Sequence, residues 1–302
     1  MFLKIMKDHA FWWVPIVLFV LVAHGIGKIV QKNIVGKVGR TQRLFLQFLF
    51  CAIFASGLAV FGGQFAFNGI VVMVGMLNGF ACYFHWRAIH SSLSKTSIFT
   101  FADDIIAMAL SYAILGEGKI INTQSGVGII FCLLAAILLG IRALRHDESL
   151  QLFIYIGIYS VIWGFAIFCQ KYFAFKEMPV LQFLANWYVA SAVSASILLL
   201  FYKDQTVSNK MSAFRVRDYA EILFLSAVIF LSLGMAFWAY SLSPQTIVQP
   251  IFLVSEAVVP TLIGLFFFRE SSKLDRAEWL YASIGILGVI LIAVGYSRIA
   301  SN

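Results

Sequence analysis

Apolar stretches of about twenty residues, joined by short polar connections, recur along nearly the whole chain and leave it few ways to fold. A helix of roughly 20 apolar residues crosses the hydrocarbon core of a bilayer with its backbone hydrogen bonds made internally. We read ten such spans, at residues 11–32, 43–61, 67–87, 96–115, 124–144, 151–170, 180–202, 219–241, 246–268 and 278–297. The 302 residues are 61% hydrophobic and only 12% charged, whereas a soluble domain carries about a quarter charged residues. Too little polar surface remains to hold such a bundle in water, so the expected class is an all-α integral membrane protein. The first span follows Lys4 and Lys7 as a secretory leader would, but it is long, lacks a clear small-residue cleavage site and ends in Lys28 and Lys32. It reads as a retained helix.

Charge and cysteine usage remove several function classes. The net charge of +8 is spread over short loops with no basic, aromatic-interleaved run, so no nucleic-acid partner is expected and the charge concerns topology and anionic lipid. Cys51, Cys82, Cys132 and Cys169 each fall in a different span without CxxC spacing; they read as small packing residues. The longest loop, from Lys203 to Asp218, is too short for a soluble domain. No HExxH motif or ATP-binding loop occurs, and Asp103-Asp104-Ile-Ile-Ala lacks the closing acid of an aspartate-rich metal motif. The chain therefore reads as a non-enzyme without a cofactor.

The two halves repeat one design. His24-Gly25 through Gln31-Lys32 parallels Trp163-Gly164 through Gln170-Lys171, and Asp103 precedes Glu117 by the same interval as Glu256 precedes Glu270. Gly128 and Ala136 match Gly285 and Ala293. Residues 1–148 and 149–302 then form two five-helix units. Five is odd, so the second unit enters from the opposite side, which makes an inverted repeat; such repeats surround a midplane site in secondary transporters.

These residues also carry a family resemblance. Trp163-Gly164 followed by Lys171, Ala88-Ile89 before the fourth span, Leu115-Gly116-Glu117 closing it and the Gly/Ala-rich span after it resemble the drug/metabolite transporter superfamily, within it the EamA-type carriers. The resemblance covers nearly the whole chain and implies ten helices in two repeats, transport of a small organic metabolite, and a multi-pass place in the inner or plasma membrane. It does not specify a solute.

Three acids mark the expected site. Asp103, Asp104 and Glu256 lie in the middle of apolar spans, where a charge costs roughly 2.5–3.5 kcal/mol on insertion scales. Adjacent on a helix, Asp103 and Asp104 point about 100° apart, so one alone is expected to face a central cavity. Lys28 is the natural counter-charge or else snorkels to the headgroups, and His24, one turn earlier on the same face, suits a proton relay. Both are expected to lean towards the fourth span, leaving Glu256 as the less compensated acid. Trp163, Tyr83 and Trp238 are candidate cavity walls, Gln170 belongs to the repeated Gly/Gln/Lys pattern, and Asn78 sits inside the step Gly75 to Gly79. That step serves close helix packing first and dimerisation second, so a monomer or weak homodimer is expected. Trp12 and Trp13 read as a membrane-belt pair, and Glu117 and Glu270 as interfacial, structural acids. Spans one, three, four, six, eight and nine should line the cavity, with five and ten behind.

The functional expectation is a secondary transporter (permease) for a small organic metabolite, amphipathic ones included, with protons as the candidate coupling ion; a lipid flippase or scramblase is the alternative, and an integral membrane enzyme a weaker one. Orientation stays open. With the amino terminus inside, six basic residues fall on that side and fifteen on the other, which favours termini outside, while the resemblance implies termini inside.

Overall fold

The computed structural model describes residues 11–34, 40–91, 101–143, 150–201, 216–266 and 276–300. Regular secondary structure among them is helical throughout. Helix α1 begins at Trp13–Phe19, passes through a π-helical stretch at Val20–Gly27 and continues over Lys28–Ile34. It is followed by α2 (Arg40–Phe61), α3 (Gly69–Ser91), α4 (Phe101–Leu115), α5 (Thr123–Ala143) and α6 (Leu150–Phe175). Then come α7 (Val180–Phe201), α8 (Val216–Leu242), α9 (Gln245–Phe266) and α10 (Arg276–Ala300). Seven of these, α1, α2, α3, α6, α7, α8 and α10, are long and apolar enough to cross a membrane. The chain is thus an all-α, multi-pass membrane protein. Among the described residues α4, α5 and α9 do not reach that standard; α4 and α9 are the two that carry Asp103-Asp104 and Glu256.

The helices associate through small residues, as expected where lipid removes the hydrophobic drive between helices. α5 packs along α10, where a Cβ added at Gly128 would lie 2.6 Å from the Gly288 carbonyl oxygen and one at Gly288 2.7 Å from that of Gly128. α7 lies between α2 and α3. Gly75 admits the Trp187 carbonyl so closely that a Cβ would stand 2.5 Å from it. Asn78 between the two glycines donates to the Ser191 hydroxyl at 2.8 Å. The glycine step is therefore an internal α3–α7 seam, and Asn78 is tied into it. α6 packs on α3 and α4, with Gly164 against the Asp103 backbone, while α8 packs on α1 and α2, and α9 on α1, α4, α5 and α10.

Around α7 the packing turns aromatic. Phe183, Trp187 and Tyr188 are among the largest fully buried side chains. Asn186 fastens the segment before α3 to this helix: its side chain accepts from Asn68 N–H at 2.9 Å and donates to the Ala66 carbonyl at 2.7 Å. Trp12 departs from its expected place in a membrane belt. It is buried and stands edge-on to Tyr296 of α10 at 5.1 Å, whereas Trp13 is exposed. The pair is split because neighbouring residues of one turn point in different directions.

The α3–α7 seam yields a stability prediction. Gly75→Val forces a side chain into the Trp187 backbone and should cost about 1–3 kcal/mol. Gly57→Ala, where nothing lies within 4 Å, should be close to neutral. Chemical unfolding in detergent measures both, and equal effects at the two sites would contradict the seam.

Candidate functional site

A cavity of about 250 Å³ opens in the middle of the bundle. The face of the π-helical stretch in α1 borders it through Ala23, His24 and Gly27, followed directly by Lys28. π-helical turns recur at functional sites because they displace side chains from the regular 3.6-residue spacing. α3, α4, α6, α8 and α9 also border the cavity, and among the described residues none of α5 or α10 does. Two helices missing from the sequence expectation contribute as well: α2 through Gln47 and Phe48, and α7 through Trp187 and Tyr188. Their long apolar runs hid them, since one amide and a few aromatics do not distinguish a cavity wall from a packed core.

Asp103 and Asp104 both border the cavity, and Asp104 also has the helix–helix partner that the 100° between them calls for. The two carboxyls reach it on either side of the helix face and are held by different partners. Gln249 of α9 donates through Nε2 to Asp104, and Tyr240 of α8 donates its hydroxyl to Gln249 Oε1. The Tyr159 hydroxyl of α6 approaches Asp103. Among the described residues, no basic side chain pairs with either aspartate.

The third acid is compensated, contrary to expectation. Lys28 Nζ lies 2.8 Å from Glu256 Oε1, and His24 Nδ1 lies 2.8 Å from the Ser255 hydroxyl. Lys28 and His24 thus turn towards α9 and away from α4, because α1 packs on α9 while α6 occupies the flank of α4. Lys28 does not snorkel. Its side chain and that of Glu256 are 25% and 32% exposed, against 4% and 7% for Asp103 and Asp104. The ion pair is half-buried, and the aspartates are buried.

Aromatic rings line one wall in sequence. His85 stacks on Tyr159 with centroids 4.4 Å apart, Tyr159 lies nearly parallel to Trp163 at 6.1 Å, and Trp163 meets Trp187 edge-on at 6.2 Å. Trp163 is therefore where the sequence put it. Tyr83 and Trp238 are not: neither borders the cavity. Tyr83 turns its ring to Arg87 at 5.2 Å, and Trp238 packs against the apolar core. Gln170 borders the cavity and donates to the Leu233 carbonyl at 3.0 Å.

One residue further along α6, Lys171 does not border the cavity. Lys171 Nζ donates to the carbonyls of Tyr240 and Ser243, each at 2.8 Å, and lies 3.5 Å from Glu117. Glu117 in turn accepts from the N–H groups of Gln245 and Thr246 at 3.0 and 2.9 Å. One buried ion pair thus satisfies carbonyls at the end of α8 and donors at the start of α9, groups a helix leaves unpaired at its ends. Glu117 is structural, as expected, and Lys171 joins it. Glu270, its counterpart by spacing, lies outside the described residues.

Sequence reasoning passed over Gln249, Gln47, Tyr159, Tyr240 and His85. A usable signal existed for Gln249: Gln245, Gln249, Phe252 and Glu256 recur at helical spacing on one face of an otherwise apolar α9. Gln47, Tyr159, Tyr240 and His85 had none, because their place depends on which helices meet.

No protein family and no curated protein matches the chain. Solved structures do match: one, described only as "Crystal structure of protein", superposes with a TM-score of 0.67 over 95% of this chain and 98% of its own, at 14% identity. That likeness shows a shared fold.

The Lys171–Glu117 pair generates a coupled prediction. Removing one partner leaves the other charge buried, so Lys171→Met should lower stability by about 3–5 kcal/mol. Adding Glu117→Gln should cost less than the sum of the two single changes. Unfolding of the four proteins in detergent tests the coupling, and strict additivity would contradict it.

Proposed function

We propose that this chain is a secondary transporter that moves a small organic solute across the inner or plasma membrane by alternating access. In this reading all ten helices span the bilayer, and α1–α5 and α6–α10 form two inverted repeats around the cavity. The observation that carries the reading is the pattern of helix packing. Exchanging each helix for the one five places away turns α3 on α6 into α8 on α1, α4 on α6 into α9 on α1, and α3 on α7 into α8 on α2, all of which occur. The α2–α7 and α5–α10 contacts map onto themselves. These exchanges support two units related by a two-fold axis, although α6–α8, α5–α9 and α9–α10 have no counterpart of similar extent; a centre between such units suits a site that one unit can expose by rocking against the other.

The exchange is imperfect in a way that supports the same reading. Gly164 holds α6 tight against α4, whereas a Cβ at Gly25, its counterpart by sequence, meets only the backbone of its own helix, 3.8 Å away. The buried Lys171–Glu117 knot lies just beyond Gln170 and would close that end of the cavity. A bundle closed at one end and looser at the other corresponds to one state of an alternating cycle. The opposite state requires the knot to loosen and α1 to close on α9. Without a cation, Asp103 and Asp104 are the carboxyls available to exchange protons during such a cycle, while Glu256 is engaged by Lys28. Proton coupling therefore falls to the aspartates. The chain acts as a monomer in this reading, since the glycine step is spent inside it.

Proteoliposomes loaded with a defined metabolite mixture provide the test. The reading predicts loss of a small subset of solutes, sensitive to Asp104→Asn, with no acceleration of fluorescent-lipid movement between leaflets. Lipid scrambling without solute movement would replace it with the flippase alternative.

A further inference from the structure

The transporter reading leaves the chemistry of its solute unassigned, and the cavity carries that information. We infer that it is built for a small organic cation, an arylalkyl ammonium ion. Its N–H groups would face Asp103, Asp104 and Gln47, and its ring would lie along the Tyr159–Trp163–Trp187 wall. The inference rests on the proposed transport only for what happens to the ligand after binding.

Charge is the first argument. Counting lysine, arginine and the acids among the described residues that border the cavity gives Lys28 against Asp103, Asp104 and Glu256, a formal sum of −2. Lys28 and Glu256 cancel each other at 2.8 Å, which leaves the two aspartates as the carboxyls without a cation. A cation entering the cavity favours their ionised form, whereas an anion opposes it. A carboxylate ligand would find the one lysine already engaged, which disfavours acids and zwitterions as well.

The second argument is independent of the acids. Gln47 is 4% exposed, borders the cavity, and its Oε1 has no hydrogen-bond partner. Buried carbonyl oxygens are normally satisfied, so this one calls for a donor from whatever fills the space. An ammonium N–H supplies it. The third is the wall. Parallel and edge-on rings at 6.1 and 6.2 Å offer π faces to a ring and to a cation near it. The cavity, about 250 Å³, lies below the roughly 300–1,000 Å³ of pockets for drug-sized ligands, which limits the occupant to a small molecule.

Four probes separate these arguments, measured by quenching of tryptophan fluorescence in the full chain purified in detergent: 2-phenylethylamine, phenyltrimethylammonium, 2-phenylethanol and 3-phenylpropionate. Phenylethylamine should bind about tenfold or more tighter than phenylethanol, and phenylpropionate should not saturate. Gln47→Leu should weaken phenylethylamine about fivefold and leave phenyltrimethylammonium, which has no N–H, unchanged. Asp103→Asn and Asp104→Asn should remove most of the preference for amine over alcohol; the probe order in the unaltered chain stands as evidence even if a variant fails to fold. Equal binding of amine and alcohol, or preference for the acid, would overturn the cation site and leave solute transport standing. Selective amine binding with no amine uptake into proteoliposomes would uphold the site and overturn the transport reading.

Discussion

A polar group buried away from water must find its partner within the protein. Lys171 and Glu117 meet this demand with unusual economy. Two carbonyls from the end of α8 and two N–H groups from the start of α9 are satisfied by one ion pair whose side chains are 7% and 5% exposed. The pair brings the ends of α4, α6 and α8 and the start of α9 to one point. The register of α9 then sets the depth of Gln249 beside Asp104 and of Glu256 beside Lys28. The geometry of the cavity descends from that knot.

The same demand sorts the three acids. Glu256 meets it with a cation; Asp104 meets it with the Gln249 amide, itself held by Tyr240; Asp103 has a tyrosine hydroxyl nearby. A carboxylate with a fixed cation keeps its charge, whereas one held by neutral donors can exchange it for a proton or a solute at smaller cost. In the proposed transport cycle, that difference would put the mobile charge on α4.

Much of this was legible in the sequence, and the remainder failed for physical reasons. Apolar runs gave the helical class, and the acids at mid-span pointed to the cavity because little else tolerates them there. His24, Lys28, Trp163, Gln170 and Asn78 also reach it. What composition could not decide was direction. Lys28 is equally spaced for α4 and α9 until α6 is seen to occupy the side of α4. Tyr83 and Trp238 have the residue type of a cavity wall, but they do not border the cavity. Gln47 lies one turn beyond Arg43 where the helix becomes apolar, and only the fold reveals that its oxygen is left unpaired.

The most direct test of the account is whether the cavity opens to both sides of the membrane in turn. Ser232 of α8 borders it, so Ser232→Cys in a background with the native cysteines replaced can be treated with a membrane-impermeant thiol reagent, in right-side-out and in inverted vesicles. Alternating access predicts modification from either side, with vesicles that stay sealed to a trapped dye. Modification from one side alone, however long the exposure, would contradict it.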